Sequence, residues 1–355
     1  MRTAEFDYAL PSELIAQKPV SPRDTSRLMV VYRRTGELLH RHFYDLPSFL
    51  QSRDLLVHNQ TRVIRARLFA RKPTGGKVEI LLLRQRDAGT WKVLVGGKRV
   101  RPGLTLTLLD GPGGNPIDVE AEVVAHGGRA LRVLRFDRPV LPLAQEVGVM
   151  PLPPYVHEHL DNDERYQTIY ARTPGSAAAP TAGLHFTPEL LHELRQTGTR
   201  SEFVTLHIGL DTFQPVREEQ IEAHQMHTEH CSLRPEVARQ VNQTKLEGHR
   251  VVAVGTTSVR VLETAALAAL GSDACSESCP WRIVAAFEGE TDLFIYPGYT
   301  FRAVDALITN FHLPRSTLLM LVAAFAGKKL IDRAYAEAIE EGYRFYSFGD
   351  AMLIL

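Results

Sequence analysis

Residues 63–140 contain six short segments with the pattern of β-strands, and this run limits the fold more than any other feature of the chain. Apolar and polar residues alternate in several of them, as expected for strands with one buried face. Turns rich in glycine separate the segments, and no helical period interrupts them. We therefore predict a small all-β unit, either a barrel or a sandwich. The predicted strands are residues 63–71, 77–84, 91–96, 104–109, 119–125 and 130–136.

The flanking parts of the chain alternate apolar strand patterns with amphipathic helix patterns, which is typical of an α/β fold. Among these segments are predicted strands at 28–33, 38–43, 54–58, 203–206, 250–254 and 306–310, and predicted helices at 161–171, 235–247, 259–270 and 318–326. The proline-rich residues 147–155 are taken as the boundary after the all-β unit.

The chain has no net charge, but its charges are unevenly distributed. Residues 53–103 contain 13 Lys and Arg against 3 Asp and Glu, a net charge of +10. Such a basic block favours a surface that faces a polyanion such as nucleic acid. A well-solvated sheet face is the alternative. Trp91 is the one aromatic in this block that could stack on a base, but its alternating spacing is more typical of a core residue.

The cysteine count and the apolar runs favour a cytoplasmic location. Three cysteines, two of them four residues apart, do not make a disulfide framework. The longest apolar run, residues 318–326, is far shorter than the ~20 residues that span a bilayer. The first residues lack the apolar segment of a secretory signal. We therefore expect no membrane partner.

Two histidines lie beside glycines within residues 178–216. His185 follows Gly183, and His207 follows a predicted strand. A helix between them is predicted to begin at Thr187, which can cap it, and Pro188 fits its first turn. Junctions between loops and strands are where α/β proteins place chemistry. Hydrogen-bonded structural histidines in two capped turns are an equally good interpretation of this local pattern.

The segment VGTTSVR, residues 254–260, leads from an apolar strand through Gly255 and three hydroxyl residues into a helix. This arrangement presents free backbone N–H groups to an anion, although a helix that merely caps itself has the same pattern. Polar groups also stand at the predicted strand ends near His207, Asn310 and Gly349. Because an α/β sheet gathers its sites at strand ends, this convergence favours an enzyme.

A metal site is not favoured. His224, His227 and His230 are spaced three apart, but they lack the order of a zinc-binding helix and a second ligand pair. Cys275 and Cys279 likewise have no second pair. We predict no metal.

Motifs from end to end of the chain resemble the S-adenosylmethionine:tRNA ribosyltransferase-isomerase family of queuosine biosynthesis. AAPTAGLHF at residues 178–186 and VGTTSVR at 254–260 are the most specific, and they occur at the family's separation. Further matches are residues 6–8, 26–28, 150–155, 203–209, 294–298, 309–313 and 343–351. The chain departs from the family pattern at His58, Gln60, Arg65, Asp211 and an apparent insertion at residues 271–280.

The resemblance implies a fold and a reaction. The expected class is α/β, with a larger domain and mixed sheet at residues 1–60 and 148–355, interrupted by a small β-barrel at 61–147. The expected enzyme transfers and isomerises the ribosyl part of S-adenosylmethionine onto 7-aminomethyl-7-deazaguanine at the tRNA wobble position. Epoxyqueuosine-tRNA forms, and adenine and methionine are released. S-adenosylmethionine is then a co-substrate, no cofactor is needed, and a monomer is the working expectation.

Acid–base chemistry near neutral pH points to histidine, so the motifs and the implied reaction together select the site residues. The predicted catalytic residues are His185, His207 and His312. The predicted substrate-binding residues are Thr181, Gly183, Thr212, Thr256, Thr257, Ser258, Arg260, Asn310 and Asp350. The predicted tRNA-binding residues are Asn59, Arg62, Arg67 and Arg71.

Two other functions fit parts of the pattern. A tRNA methyltransferase would also use S-adenosylmethionine, but it would leave adenosylhomocysteine rather than free adenine. A non-catalytic tRNA-binding module would show no turnover at all, and the clustered histidine and hydroxyl motifs argue against it.

Overall fold

The computed structural model describes residues 1–128, 130–158, 160–209, 215–271 and 281–355. These residues form two compact units. The first comprises Met1–Gln60, Pro154–Arg172 and Pro180–Leu355, and the second comprises Thr61–Pro153 and Thr173–Ala179. A nine-stranded mixed sheet with helices forms the first unit, and a closed six-stranded barrel forms the second. The predicted fold class, an α/β domain with a small barrel, is confirmed.

The large sheet takes strands from both ends of the chain. Its strands are β1 (Arg27–Val31), β2 (Leu38–His42), β3 (Leu55–Asn59), β12 (Arg200–Leu206), β13 (Glu229–Leu233), β14 (Val251–Val254), β15 (Phe287–Thr291), β16 (Ala306–Asn310) and β17 (Ala351–Ile354). They lie in the order β15-β13-β12-β3-β14-β16-β17-β1-β2. The helices of this unit are α2 (Pro188–Gln196), α3 (Pro235–Leu246), α4 (Thr256–Gly271), α5 (Thr317–Ala326) and α6 (Lys328–Glu340).

Strand direction brings six chain segments to one edge of this sheet. Strands β12, β3, β14 and β16 are parallel, so their carboxyl ends coincide. β17 is antiparallel to β16, and β1 is parallel to β17, so the residues that precede β17 and β1 reach the same edge. We call it the upper edge, formed by His207, Asn59, Gly255, Asn310, Asp350 and Ser26. Gly349 was predicted at a strand end; it instead precedes β17, and the antiparallel pairing brings it to this edge.

Burial explains the strand sequences at the centre of the sheet. Every residue of β3, β14 and β16 is buried, as expected for parallel strands covered on both faces. On one face, Leu56, Val254 and Ile308 pack with Phe186 and Leu190 in a single apolar core. Because Phe186 follows His185 directly, burial of its ring fixes the chain beside the upper edge.

The second unit is a barrel with the alternation that the sequence predicts. Its strands are β5 (Arg67–Arg71), β6 (Lys77–Gln85), β7 (Thr90–Gly96), β8 (Thr105–Leu109), β9 (Pro116–His126) and β10 (Leu131–Phe136), followed by helix α1 (Val140–Val147). The short strands β4 (Thr61–Val63) and β11 (Thr173–Ser176) form a separate pair. Trp91 is 1% exposed, so it belongs to the core rather than to a stacking surface. Helix α1 was not predicted.

Local capping signals were good guides to helix starts. The Thr187 and Ser316 hydroxyls accept hydrogen bonds from the N–H groups of Leu190 and Leu319, both at 3.2 Å.

Among the described residues, no helix is both long and apolar enough to cross a lipid bilayer.

The predicted helix at 161–171 is wrong. Only one 3-10 turn forms there, Asp163–Tyr166, and the Asn162 side chain caps it by accepting the Glu164 N–H. Tertiary contacts override the local propensity, because the Tyr166 ring packs edge-on against Phe348 with centroids 5.7 Å apart. The other short 3-10 turns among the described residues are Thr3–Phe6, Ser12–Leu14, Arg23–Thr25, Phe43–Ser48, Thr181–His185 and Ile221–Ala223.

His58 is a buried imidazole within an aromatic cage. Its ring centroid lies 4.7 Å from that of Tyr170, 5.1 Å from Phe186 and 5.5 Å from Phe203. Neither ring nitrogen has a hydrogen-bond partner among the described residues. Burial lowers the pKa of His58 from 6.5 to about 3. The folded protein therefore holds this side chain neutral.

Replacing His58 should change how stability depends on pH. Between the unfolded pKa of 6.5 and the folded value of about 3, the unfolded chain binds a proton at His58 that the folded chain does not. The unfolding free energy therefore falls as the pH falls through this window, by about 1.4 kcal/mol per pH unit for each such proton. We expect the unfolding free energy of His58→Leu to depend less steeply on pH in this window, by about 1.4 kcal/mol per pH unit. Urea unfolding at several pH values from 4 to 7 measures the difference.

Phe203→Leu is the matched control, since it opens the same cage without removing the titrating group. It should lower stability and leave the slope unchanged. An unaltered slope in His58→Leu would show that His58 does not titrate as burial requires.

Candidate active site

The 3-10 turn Thr181–His185 lies over the upper edge. Gly255 has a φ of +87°, and a Cβ placed there would come within 3.6 Å of the Ala182 Cβ. The turn therefore passes close to the end of β14. It carries Thr181 at its start and His185 at its end, so both side chains meet groups at the neighbouring strand ends.

A chain of hydrogen bonds links four side chains at this edge. The Thr181 hydroxyl donates to Asn310 Oδ1 at 2.9 Å. Asn310 Nδ2 lies 3.2 Å from His185 Nε2, and His185 Nδ1 lies 2.7 Å from Ser26 Oγ. We call these four residues the His185 cluster. It joins three predicted site residues to Ser26, which was not among the predicted site residues.

The surroundings of His185 keep it neutral. Its side chain is almost fully buried, and the ring stacks on Phe43 with centroids 4.9 Å apart. Burial, with smaller contributions from the positive charges of Arg344 and Arg23, lowers the pKa of His185 to about 3. Above that pH the imidazole has a free lone pair, so it can accept a proton but has none to give as an imidazolium acid.

Asp350 holds this part of the edge together. Its carboxylate accepts main-chain N–H groups from Arg27 at 2.9 Å and Arg344 at 2.8 Å. It was predicted to bind substrate, but both carboxylate oxygens are used to join the start of β1 to the loop before β17. We therefore revise Asp350 to a positioning residue.

His312 lies two residues beyond Asn310, in a separate contact network. Its Nε2 lies 2.7 Å from Thr309 Oγ1, and its main-chain N–H donates to the Tyr335 hydroxyl at 2.9 Å. Burial lowers the pKa of His312 to about 3. Within the described part of the chain, no hydrogen bond connects it to the His185 cluster.

His207 reaches the upper edge at a different place. It follows β12, which is three strands from β16, or roughly 14 Å along the edge at the usual strand spacing. Its ring stacks on His230 with centroids 6.2 Å apart, and burial followed by the charge of His230 lowers the pKa of His207 to about 4. The structure does not bring His207 into contact with the His185 cluster.

Asn59, the last residue of β3, connects this strand to β12 and to the start of α4. Its side chain exchanges two hydrogen bonds with the main chain of Leu206, at 3.0 and 3.1 Å. The same amide nitrogen lies 3.3 Å from Thr257 Oγ1 in the first turn of α4. In the structure Asn59 joins β12 to the start of α4. Its predicted role in tRNA binding stays a prediction.

Arg260 was predicted to bind an anion, and its contacts argue against that role. The guanidinium is 3% exposed and forms an ion pair with Glu229. It also donates to the Leu293 carbonyl at 3.2 Å. Since Glu229 already matches its charge, we revise Arg260 to a positioning residue.

The hydroxyls at the start of α4 have different roles. The Ser258 hydroxyl donates to the carbonyl of Val254, the last residue of β14, at 2.8 Å. Thr256 and Thr257 stand in the first turn, where main-chain N–H groups of a helix are available to an anion. They remain the best candidates for a carboxylate or phosphate site.

The basic residues of the barrel strand β5 lie on its outer surface. Arg67 forms an ion pair with Glu79 at 3.1 Å. Arg71 stands directly opposite Lys77 across β5 and β6. Like charges opposite each other repel, so the Arg71–Lys77 pair adds to the positive charge of this surface.

Some predicted residues give no site in the described part of the chain. Thr212, Cys275, Cys279 and most of the insertion at 271–280 lie outside the described residues. Within them, no group of three or more His, Cys, Asp or Glu side chains is arranged to hold a metal ion. His224, one of the three spaced histidines, instead bonds to Glu218 at 2.9 Å.

Comparison with known proteins decides the family. The model of the queuosine biosynthesis protein family matches residues 3–354. The chain belongs to the queuosine biosynthesis protein family. It is 53% identical over 357 residues to the S-adenosylmethionine:tRNA ribosyltransferase-isomerase of Moorella thermoacetica, with 100% of both chains covered. It is 54% identical to the protein of that name from Thermus thermophilus, covering 99% of this chain and 98% of the relative.

A solved structure from the same family is also similar. The crystal structure of the S-adenosylmethionine tRNA ribosyltransferase from Thermotoga maritima aligns with a TM-score of 0.55 at 42% identity. The alignment covers 99% of this chain and 100% of that one. Family membership therefore extends over both units of the chain.

Two contacts in this queuosine biosynthesis protein were missed by sequence reasoning. Ser26 stands before β1, far along the chain from His185, and no local pattern connects them. Tyr170 places its hydroxyl over Gly183 in the turn that carries His185. The four-residue spacing of Tyr166 and Tyr170 was interpreted as a helix face, so it concealed this role.

Gly183 should tolerate no side chain while Tyr170 is present. A Cβ at residue 183 would lie 2.1 Å from the Tyr170 hydroxyl oxygen and 2.8 Å from Thr168 Cγ2. We expect Gly183→Ala to destabilise the protein by about 1–3 kcal/mol, because the turn must move to relieve the overlap. Urea unfolding measures the effect.

Tyr170→Phe provides the matched test, since it removes only the overlapping oxygen, which has no hydrogen-bond partner among the described residues. The double variant should recover part of the loss, with Thr168 accounting for the remainder. Strictly additive effects of the two substitutions would contradict this contact.

Proposed function

We propose that the protein transfers and isomerises the ribosyl moiety of S-adenosylmethionine onto 7-aminomethyl-7-deazaguanine at the wobble position of tRNA. Epoxyqueuosine-tRNA is the product, and adenine and methionine are released. Family membership and the names of the relatives support this activity. The observation that carries it is the buried, neutral His185, held by Ser26 and Asn310 at the upper edge.

The chemistry of the co-substrate calls for such a residue. A sulfonium acidifies the neighbouring 5′ carbon, so the reaction can begin when a general base removes a proton there. A positively charged histidine would repel the sulfonium and has no lone pair to offer. Burial lowers the pKa of His185, so the imidazole is neutral at physiological pH and a ring nitrogen can accept a proton.

The start of α4 suits the other end of the same molecule. The methionine part carries a carboxylate, and the N–H groups at the beginning of a helix favour an anion. Thr256 and Thr257 lie in that first turn, and Gly255 lies under the turn that carries His185. A sulfonium nucleoside that extends along the upper edge would meet both groups.

The outer surface of the barrel supports a polyanionic partner. The Arg71–Lys77 pair places like charges side by side, and binding of RNA phosphates would relieve their repulsion. Arg62, Arg67 and Arg71 remain the proposed tRNA-binding residues of the barrel, with Lys77 added to them. Arg67 should contribute least, because Glu79 already pairs with it.

Product analysis tests the activity directly. The protein is incubated with S-adenosylmethionine and tRNA carrying 7-aminomethyl-7-deazaguanine, and adenine is measured by chromatography. Stoichiometric release of adenine and methionine is expected. Adenosylhomocysteine would instead identify a methyltransferase, and the absence of any turnover would favour a binding module.

Substitution of His185 tests the proposed base. His185→Gln should lower adenine release about 100-fold or more, because general base catalysis contributes at least that factor, while tRNA affinity is kept. His192→Gln is the matched control, since His192 is an exposed histidine on α2 a short distance along the chain. Equal turnover in both variants would remove His185 from the mechanism.

Salt dependence tests the barrel surface. Arg71→Gln with Lys77→Gln should weaken tRNA binding and lower the slope of log affinity against log salt by about 2, one for each lost phosphate contact. The control pair is Arg135→Gln with Arg138→Gln, because Glu122 and Asp137 already pair with these barrel arginines. An equal change of slope in the two double variants would contradict a localised RNA surface.

A further inference from the structure

We propose that Ser26 is a positioning residue that, together with Asn310, holds His185 with its proton on Nδ1 and its lone pair on Nε2. His185 then accepts the substrate proton at Nε2 and serves as a base rather than an acid. The assignment of a base rests on the proposed function, whereas the position of the proton is a property of the protein alone.

The orientation of the Asn310 amide is the first step. Asn310 Nδ2 lies 3.2 Å from the main-chain carbonyl of Tyr346 and 3.5 Å from that of Asp350. A carbonyl oxygen only accepts hydrogen bonds, so the NH₂ group must face this side. On the other side, Asn310 Oδ1 accepts the Thr181 hydroxyl at 2.9 Å. The two carbonyls select this orientation, and the Thr181 hydroxyl, which can donate or accept, is compatible with it.

The state of His185 follows from that orientation. The nitrogen atom that faces His185 Nε2, at 3.2 Å, is an NH₂ donor, so Nε2 must be the acceptor. A neutral imidazole carries one N–H, which must then be on Nδ1. That N–H donates to Ser26 Oγ at 2.7 Å.

Ser26 is itself held in place. Its main-chain carbonyl accepts the Phe43 N–H at 2.8 Å, and the Phe43 ring stacks on His185. Ser26 is 2% exposed, and it directly precedes β1. These contacts fix the main chain of Ser26, and the imidazole is held by contacts at both nitrogens and on one face.

The proton transfer balances with these groups alone. The Nε2 lone pair takes a proton from the substrate atom next to the sulfonium, and the electron pair of the broken bond stays on that atom. The resulting imidazolium keeps its Nδ1–H on Ser26 Oγ. The substrate replaces the Asn310 amide as the partner of Nε2, and the proton needed by departing adenine must come from another group.

Imidazole ¹⁵N NMR on the full-length protein without substrate tests the position of the proton. Histidine-labelled protein is examined at pH 7, and His185→Gln assigns the His185 signals by their loss. A protonated, pyrrole-type Nδ1 and an unprotonated, pyridine-type Nε2 are expected. The reverse pattern would overturn the proposal.

Two substitutions make the test specific. Asn310→Asp replaces the NH₂ donor with an acceptor, so the proton should move to Nε2. Ser26→Ala removes the partner of Nδ1, so the single tautomer should give way to a mixture. If the ¹⁵N signals of His185 are unchanged in both variants, Asn310 and Ser26 do not determine its tautomer. Ser26→Thr keeps the hydroxyl, so it should restore the single tautomer.

Kinetics separates this inference from the proposed activity. Ser26→Ala should lower kcat about 10- to 100-fold, the range seen when the hydrogen-bond partner of a metal-bound histidine is removed, with little change in KM. Ser26→Thr should recover most of that loss. Loss of kcat with an unaltered tautomer would refute the proposal, whereas the expected tautomer in a protein that releases no adenine would refute only the proposed function.

Discussion

The antiparallel pairing of β17 with β16 is the constraint on which the candidate site depends. It places Asn310, the last residue of β16, opposite Ala351, the first residue of β17. Asp350 therefore reaches the same edge as Asn310. Because β1 runs parallel to β17, Ser26 arrives there as well. With β17 reversed, residues 26 and 350 would lie at the opposite edge, and His185 would lose its partner at Nδ1.

Burial gives two histidines the same low pKa with different consequences. His58 and His185 both remain neutral down to a pH of about 3, because neither imidazolium would be solvated. Aromatic rings enclose His58, and it gains no hydrogen bond from the described residues. His185 instead has a polar partner at each ring nitrogen. Polar partners at the ring nitrogens, and not burial, separate the structural histidine from the candidate base.

Tyr170 is one link between the two histidines. The Tyr170 ring packs against His58, and its hydroxyl occupies the space over Gly183. Gly183 belongs to the turn that ends at His185. The aromatic cage around His58 thus limits how closely this turn can approach the sheet. Packing in the apolar core therefore helps to position the His185 cluster.

The sequence by itself determined the fold class and most of the chemistry that the site could perform. Alternation marked the barrel strands, a capping residue marked the start of α2, and His185 and Asn310 were identified from strand and turn signals. These features depend on neighbours along the chain, so the sequence contains them directly. The helix predicted at 161–171 failed because the Tyr166 and Tyr170 rings pack into distant parts of the core.

Only the tertiary structure decided which of the predicted residues meet. It joined His185 to Ser26 and Asn310, separated His207 by three strands, and neutralised Arg260 with Glu229. These outcomes depend on strand order and direction, which are set by packing across the whole sheet. No local pattern contains that information, and for this reason Ser26 became visible only when β1 and β16 were placed on either side of β17.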